Sequence, residues 1–137
     1  MKYFISSKWR NRDKVLELTK KLRNRGKFVY CFFESKANIY STDMDPKKVM
    51  EEFEAIENWR NNKYIKAIFK DTVIKIKDSD ILVMLLPAGS STHIEAGIAY
   101  GLGKKCIVIG EKKETDSMYL IFNEFYNSID EFIDSIL

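Results

Sequence analysis

Apolar positions along the chain follow two rhythms. Unbroken apolar runs stand at Tyr3-Phe4-Ile5, Phe28 to Phe33, Ile81 to Leu86 and Cys106 to Ile109. Such runs read as strands. Between them, apolar residues recur at helical spacing. Val15, Leu16, Leu18 and Leu22 do so amid Lys and Arg over residues 11–25, with Gly26 as the stop. Asp45-Pro46 opens a second helix, Asp as its cap and Pro in its first turn, with Val49, Met50, Phe53 and Ile56 on one face. Asn58, Asn61 and Asn62 interrupt that pattern. A third helix spans 63–77 with Ile65, Ile68, Phe69, Val73 and Ile76 inward, so that 46–77 reads as one interrupted helical arm and 34–45 as irregular chain.

The run from Ile81 to Leu86 has the continuous apolar character of a strand buried on both faces of a parallel sheet. Pro87 and Gly89 end it. A helix rich in small residues follows over 92–102, then a buried strand over 106–110 and a charged loop over 111–117. Tyr119-Leu120-Ile121-Phe122 reads as a short edge strand, and Asn127 or Ser128 caps a last helix running to Leu137. Strands alternating with helices imply a parallel sheet with right-handed crossovers. The expectation is an α/β fold: a flavodoxin-like or Rossmann-like three-layer sandwich with four to five parallel strands, in a single domain over 1–137. In such sheets ligands bind beyond the carboxyl ends of the strands, where strand order reverses. With order 2-1-3-4-5, the loop at Ser6-Ser7 faces the segment Pro87 to Ser91.

Composition narrows the class. The chain has 137 residues, 45% hydrophobic and 31% charged, which fits a globular protein and excludes a disordered one. It has no run of apolar residues long enough to span a membrane, and its first residues do not read as a secretory leader, so a cytoplasmic location is expected. Cys31 and Cys106 sit inside apolar runs and read as buried free thiols. With one histidine and no cysteine cluster, the usual zinc spacings are missing, and no metal or organic cofactor is called for. A net charge of +3 gives no reason to expect a nucleic-acid polymer as partner. The charge is nonetheless lopsided: residues 8–27 carry nine Lys or Arg against Asp13 and Glu17, and residues 111–137 carry seven acids against Lys112 and Lys113. Solvated helix faces are the usual source of such a pattern, with help toward anionic substrates or subunit pairing as the alternative.

The segment facing the expected crevice is Pro87-Ala88-Gly89-Ser90-Ser91-Thr92-His93-Ile94-Glu95. Gly89 lets backbone approach a ligand, while Ser90, Ser91 and Thr92 offer hydroxyls and N–H groups at a helix start, a site for an anion or sugar hydroxyls. Neither a Walker pattern nor Gly-x-Gly-x-x-Gly is present. Glu95 has two readings. Thr92-x-x-Glu95 fits a capping box, and a carboxylate at the mouth of the crevice fits a nucleophile. His93, a group that can titrate near neutrality, is a candidate substrate contact. Gly97 and Gly101, four apart, are expected to let this helix lie close to the sheet.

Tyr3-Phe4-Ile5-Ser6-Ser7, Asp80-Ile81-Leu82-Val83 and Glu95-Ala96-Gly97-Ile98-Ala99-Tyr100-Gly101-Leu102-Gly103-Lys104 together resemble the nucleoside 2-deoxyribosyltransferase family, which includes deoxynucleoside monophosphate N-glycosidases. The wording Leu-Pro-Ala-Gly-x-x-x-His-Ile-Glu is most similar to a bacterial branch of it. The resemblance covers about half the chain. It implies that Glu95 attacks the anomeric carbon of a deoxyribonucleoside, that the base leaves, and that another base or water then takes the sugar from a glycosyl ester. It further implies that Tyr3 supports Glu95 and that Ser6, Ser7, Gly89, Ser90 and Ser91 hold sugar or phosphate. The family aspartate that acts near the leaving base falls, counted back from Asp80, at Thr72, with Asp71 one residue away as the tentative general acid.

The reading that follows is transfer or hydrolysis at the N-glycosidic bond of a deoxyribonucleoside or its 5′-monophosphate, leaning to an enzyme. Two rivals stand beside it: a non-catalytic nucleotide-binding or sensor module, and an NAD or ADP-ribose glycosidase of the interleukin-receptor-like kind. The partner in the leading reading is a small nucleoside or nucleotide. The apolar face of Tyr64 to Ile76 and the aromatic segment Tyr119 to Phe132 suggest a homodimer or higher homo-oligomer.

Overall fold

The computed structural model describes residues 1–40 and 43–136. Ser41 and Thr42, inside the expected irregular stretch, and Leu137, the expected end of the last helix, lie outside the described residues. Five strands form one parallel sheet in the order β2-β1-β3-β4-β5. They are β1 (Lys2–Ser6), β2 (Phe28–Tyr30), β3 (Ile81–Leu85), β4 (Lys105–Ile109) and β5 (Glu124–Tyr126). The helices are α1 (Arg12–Asn24), α2 (Pro46–Glu54), α3 (Lys63–Asp78), α4 (Ser90–Gly101) and α5 (Ile129–Asp134). This is the α/β flavodoxin-like sandwich expected from the alternation of runs.

Side chains on a strand point alternately to its two faces, and here each face meets its own helical layer. Tyr3, Ile5, Val83 and Leu85 join Val15, Leu18 and Leu22 of α1 and Phe132 of α5 in one core. Phe4, Leu82, Met84 and Val108 join Ile76 of α3 and Ala96 and Ala99 of α4 in the other. All five residues of β3 are buried, as its unbroken apolar run requires. Each fully buried aliphatic of this kind contributes roughly 1.5–3 kcal/mol of transfer free energy. The basic α1 also meets the acidic end of the chain: Lys21 Nζ lies 2.5 Å from Asp130, and Arg25 donates to the Ile136 carbonyl at 3.0 Å. Cys31 and Cys106 are buried free thiols, and burial pushes Cys106 up to about 11.

Local chemistry sets the boundaries. At the end of α1, Gly26 adopts φ +75°, its N–H donates to the Arg23 carbonyl, and the Lys27 N–H donates to the Leu22 carbonyl. That is the double bond of a Schellman stop. Asp45 accepts from the Lys47 amide at the start of α2. Asn58 sits in the left-handed region and breaks the arm, and Asn62 accepts from the amides of Tyr64 and Ile65 to start α3.

Four expectations change. The second apolar run ends as strand at Tyr30 because β2 is an edge that pairs only with β1; Phe32 and Phe33 turn away to pack on Trp9. Phe69 is not inward but 67% exposed. Tyr119 to Phe122 is not a strand. Asp116 caps a 3-10 turn over Ser117–Ile121, Tyr119 and Phe122 pack into the core, and β5 begins only after Asn123 exchanges two hydrogen bonds with Cys106. Gly97 and Gly101 face outward, and a Cβ on either would meet nothing within 4 Å. The small residues that bring α4 against the sheet are Ala96 and Ala99, both fully buried.

Candidate functional site

The strand order reverses between β1 and β3, and there Ser6 and Glu95, two of the side chains singled out in the sequence, meet. Ser6 ends β1, pairs with Met84 of β3, and is fully buried. Its position on the strand turns it toward α4, where its Oγ donates to Glu95 Oε1 at 2.6 Å. Among the described residues it is the one hydrogen-bond donor to that carboxyl. Glu95 keeps part of its surface exposed, yet its acid end lies against the sheet. Burial pushes the carboxyl above the usual glutamate range, and the Ser6 hydroxyl pulls it part of the way back.

This geometry removes the capping-box reading. The helix starts at Ser90 with Gly89 as its N-cap, so Thr92 lies inside the first turn and is itself buried. Glu95 reaches Ser6, a partner 89 positions away in sequence, and not the Thr92 amide. Gly89 has no side chain to cap with, which leaves the N–H groups of Ser90, Ser91 and Thr92 without intrahelical acceptors. The Ser90 and Ser91 side chains are exposed beside them.

The remaining candidates are distributed differently. Ser7 donates to the Leu85 carbonyl at 2.8 Å and accepts from Asn11 Nδ2 at 3.1 Å, so it staples the end of β1 to the end of β3. Asn11, which also reaches the Leu86 carbonyl at 3.3 Å, was not singled out from the sequence; its one signal is a polar side chain beside the apolar positions of α1. His93 has both ring nitrogens engaged, 2.7 Å from the Gly89 carbonyl and 2.7 Å from the Tyr119 hydroxyl. It is therefore not a free substrate contact. Tyr119 carried no sign of this pairing in a sequence where it stands 26 residues away.

Tyr3 does not meet Glu95. Alternation along β1 sends it to the opposite face from Ser6, where its ring packs edge-on against Phe132 at 6.4 Å and is 5% exposed. Asp71 does not meet Glu95 either. It accepts from Ser35 Oγ at 2.6 Å and Lys75 Nζ at 2.9 Å. Partial burial pushes its carboxyl up, but the bonds from Ser35 and Lys75 outweigh that and hold it below the usual range. A group so held stays ionised, which is poor provision for a general acid. No group of three or more His, Cys, Asp or Glu among the described residues is placed to hold a metal.

Among the described residues, concavities of about 330 and 230 Å³ open at the carboxyl ends of β3, β4 and β5, and neither is lined by Ser6 or Glu95. What marks the site is its chemistry: a desolvated carboxyl bonded to a buried hydroxyl, on a helix whose first N–H groups are uncapped.

No protein-family model matches the chain, and no curated protein matches it in sequence. Solved structures do. A 2-deoxyribosyltransferase from Bacillus psychrosaccharolyticus superposes with a TM-score of 0.66 at 16% identity, covering 98% of this chain and 91% of that one. A CMP N-glycosidase from Clostridium botulinum superposes with a TM-score of 0.57 at 18% identity, covering 99% and 98%. The chain shares the fold of these two proteins. The likeness runs along nearly the whole of this chain. At this identity what is shared is the backbone arrangement, and the chemistry of the crevice has to be argued from its own residues.

Proposed function

We propose that the protein transfers or hydrolyses at the N-glycosidic bond of a deoxyribonucleoside or its 5′-monophosphate, with Glu95 as nucleophile. The observation that carries this reading is the 2.6 Å bond between Ser6 and Glu95 at the reversal point of the sheet, on a carboxyl withdrawn from water. Two full-length structural neighbours, one named for deoxyribosyl transfer and one for CMP N-glycoside cleavage, support it.

The ionised Glu95 oxygen attacks C1′, the C1′–N bond breaks, and its electron pair leaves with the base. The product is a glycosyl ester. Water or a second base then attacks C1′ from the opposite side, the carboxylate leaves, and configuration is retained overall. Weak solvation makes the carboxylate a better nucleophile, and the Ser6 hydroxyl favours its ionised form and aims it. Gly89, Ser90 and Ser91 hold sugar hydroxyls or a 5′-phosphate at the start of α4. The departing base takes its proton from water, because Ser35 and Lys75 favour the ionised form of Asp71. Tyr3 serves the core.

The test is incubation with a panel of deoxynucleosides and deoxynucleoside monophosphates, with and without free bases, following base release by chromatography beside Glu95→Ala. Release that the variant loses supports the reading. A nucleotide bound tightly but recovered intact selects the sensor module, and cleavage of NAD alone selects the third reading. The protein is further expected to pair with a second copy. Phe69 and Ile74 of α3 and Ile94 and Tyr100 of α4 are all more than half exposed. Sedimentation as a monomer at micromolar concentration refutes pairing.

A further inference from the structure

His93 is the single histidine of the chain, and it lies in the first turns of α4, two residues before Glu95. Its Nδ1 stands 2.7 Å from the Gly89 carbonyl, and its backbone N–H donates to that same carbonyl at 3.2 Å. A carbonyl oxygen only accepts, so Nδ1 carries the hydrogen. In the neutral ring Nε2 then accepts from the Tyr119 hydroxyl at 2.7 Å. Tyr119 is itself fixed: 8% exposed, packed edge-on against Phe122 at 5.1 Å, with the Lys112 ammonium 5.2 Å from its ring centroid. An N-cap glycine has no side chain with which to define its own turn. Here one residue holds its carbonyl twice, and a buried tyrosine on another segment holds that residue.

We propose that His93 and Tyr119 are positioning residues, a strut from the Ser117–Ile121 turn to Gly89 that sets the direction in which Ser90 and Ser91 present their hydroxyls and N–H groups. The strut rests on the reading of Gly89 to Ser91 as the sugar or phosphate subsite. It converts His93 from a substrate contact into the residue that aims the contacts. Because the hydrogen-bond chain ends at the binding turn and not at Glu95, its loss weakens substrate binding and leaves the chemical step in place.

The experiment uses the full chain labelled with 15N-histidine, in which a long-range proton–nitrogen spectrum reads one ring. In the wild type above neutral pH the expected state is the tautomer with hydrogen on Nδ1; hydrogen on Nε2 overturns the strut. Tyr119→Phe keeps the ring and its packing but removes the donor. Its Nε2 resonance is expected to move toward that of an unbonded nitrogen, and the Gly89 to Ser91 amide resonances to shift. With deoxynucleoside monophosphates as substrate, KM should rise about three- to tenfold with kcat within about twofold. His93→Asn, whose side-chain amide still reaches the Gly89 carbonyl, should match Tyr119→Phe, whereas His93→Ala should exceed both. Variants that melt earlier but keep the wild-type KM and unshifted amides overturn the positioning role. If the wild type turns over no substrate, the proposed function fails, and the tautomer and the amide shifts still decide the strut.

Discussion

Ser6→Ala removes one oxygen atom from the centre of the site. The lost bond is 2.6 Å long, fully buried on the serine side, and made to a carboxyl that burial already disfavours in its charged form. A hydrogen bond to a charged group is worth about 1.5–3 kcal/mol. Every tenfold change in an equilibrium or rate corresponds to about 1.4 kcal/mol. The variant should therefore lose about ten- to a hundredfold in kcat/KM near neutral pH. The sign with pH is fixed by the same contacts. Ser6 lowers the Glu95 pKa, so its removal raises it further, and the acid limb of the pH–rate profile moves to higher pH. Activity of the variant should recover partly on the alkaline side, where Glu95 ionises without help. Thermal unfolding supplies a second measurement that needs no substrate. Glu95 ionised without its donor destabilises the fold, so Ser6→Ala should melt below the wild type at pH 8 by more than at pH 4, where the carboxyl is protonated in both proteins. A profile and a melting difference that are both independent of pH would refute the coupling of Ser6 to Glu95.

Glu95→Gln should abolish turnover and, at neutral pH, stabilise the protein by about 1–3 kcal/mol, because the amide is buried without a charge. The folded-state pKa of Glu95 is raised, so wild-type stability falls as pH rises through it; the advantage of the glutamine variant should be absent near pH 4, grow toward neutrality, and be read from urea midpoints across that range. Asp71→Asn should change kcat by less than about threefold in the base-release assay, whereas loss of a working general acid costs on the order of a hundredfold or more. Gly110→Ala should destabilise by about 2–4 kcal/mol in thermal melts, since Gly110 holds φ +125° and a Cβ there would stand 2.6 Å from Leu86 Cβ.

The sheet was legible because the physics of a buried parallel strand acts on consecutive residues. Ile81 to Leu86 has no polar position to spare, and its neighbours follow from the alternation with helices. The helix starts were legible where one side chain does the capping, as Asp45 does. Glu95 was legible as chemistry but not as geometry. The capping box needs a partner three residues away, and only the assembled sheet shows that Glu95 meets Ser6, 89 positions distant. Tyr3 was misplaced for a related reason. A resemblance in wording carries no strand parity, and parity sends Tyr3 and Ser6 to opposite faces. Phe69, Gly97 and Gly101 were misread because helical spacing alone does not say which side of a helix meets the protein. The His93–Tyr119 pair joins two segments across a strand and a loop, and nothing in either segment announces the other.

The placement of β1 has a consequence for how the chain is made. Its partners in the sheet are β2, which begins at residue 28, and β3, which begins at residue 81. During synthesis β1 and β2 can pair early, but the inner edge of β1 then waits through the whole of α2 and α3 with its backbone groups open. An unpaired apolar edge is an invitation to intermolecular pairing. Contacts as distant as Ser6 with Glu95 also form late, since long loops must close before they contribute. The most vulnerable edge thus waits for Ile81 to Leu85 and the Ser6–Glu95 contact for α4 just behind it, and a chain interrupted before β3 would be prone to aggregate.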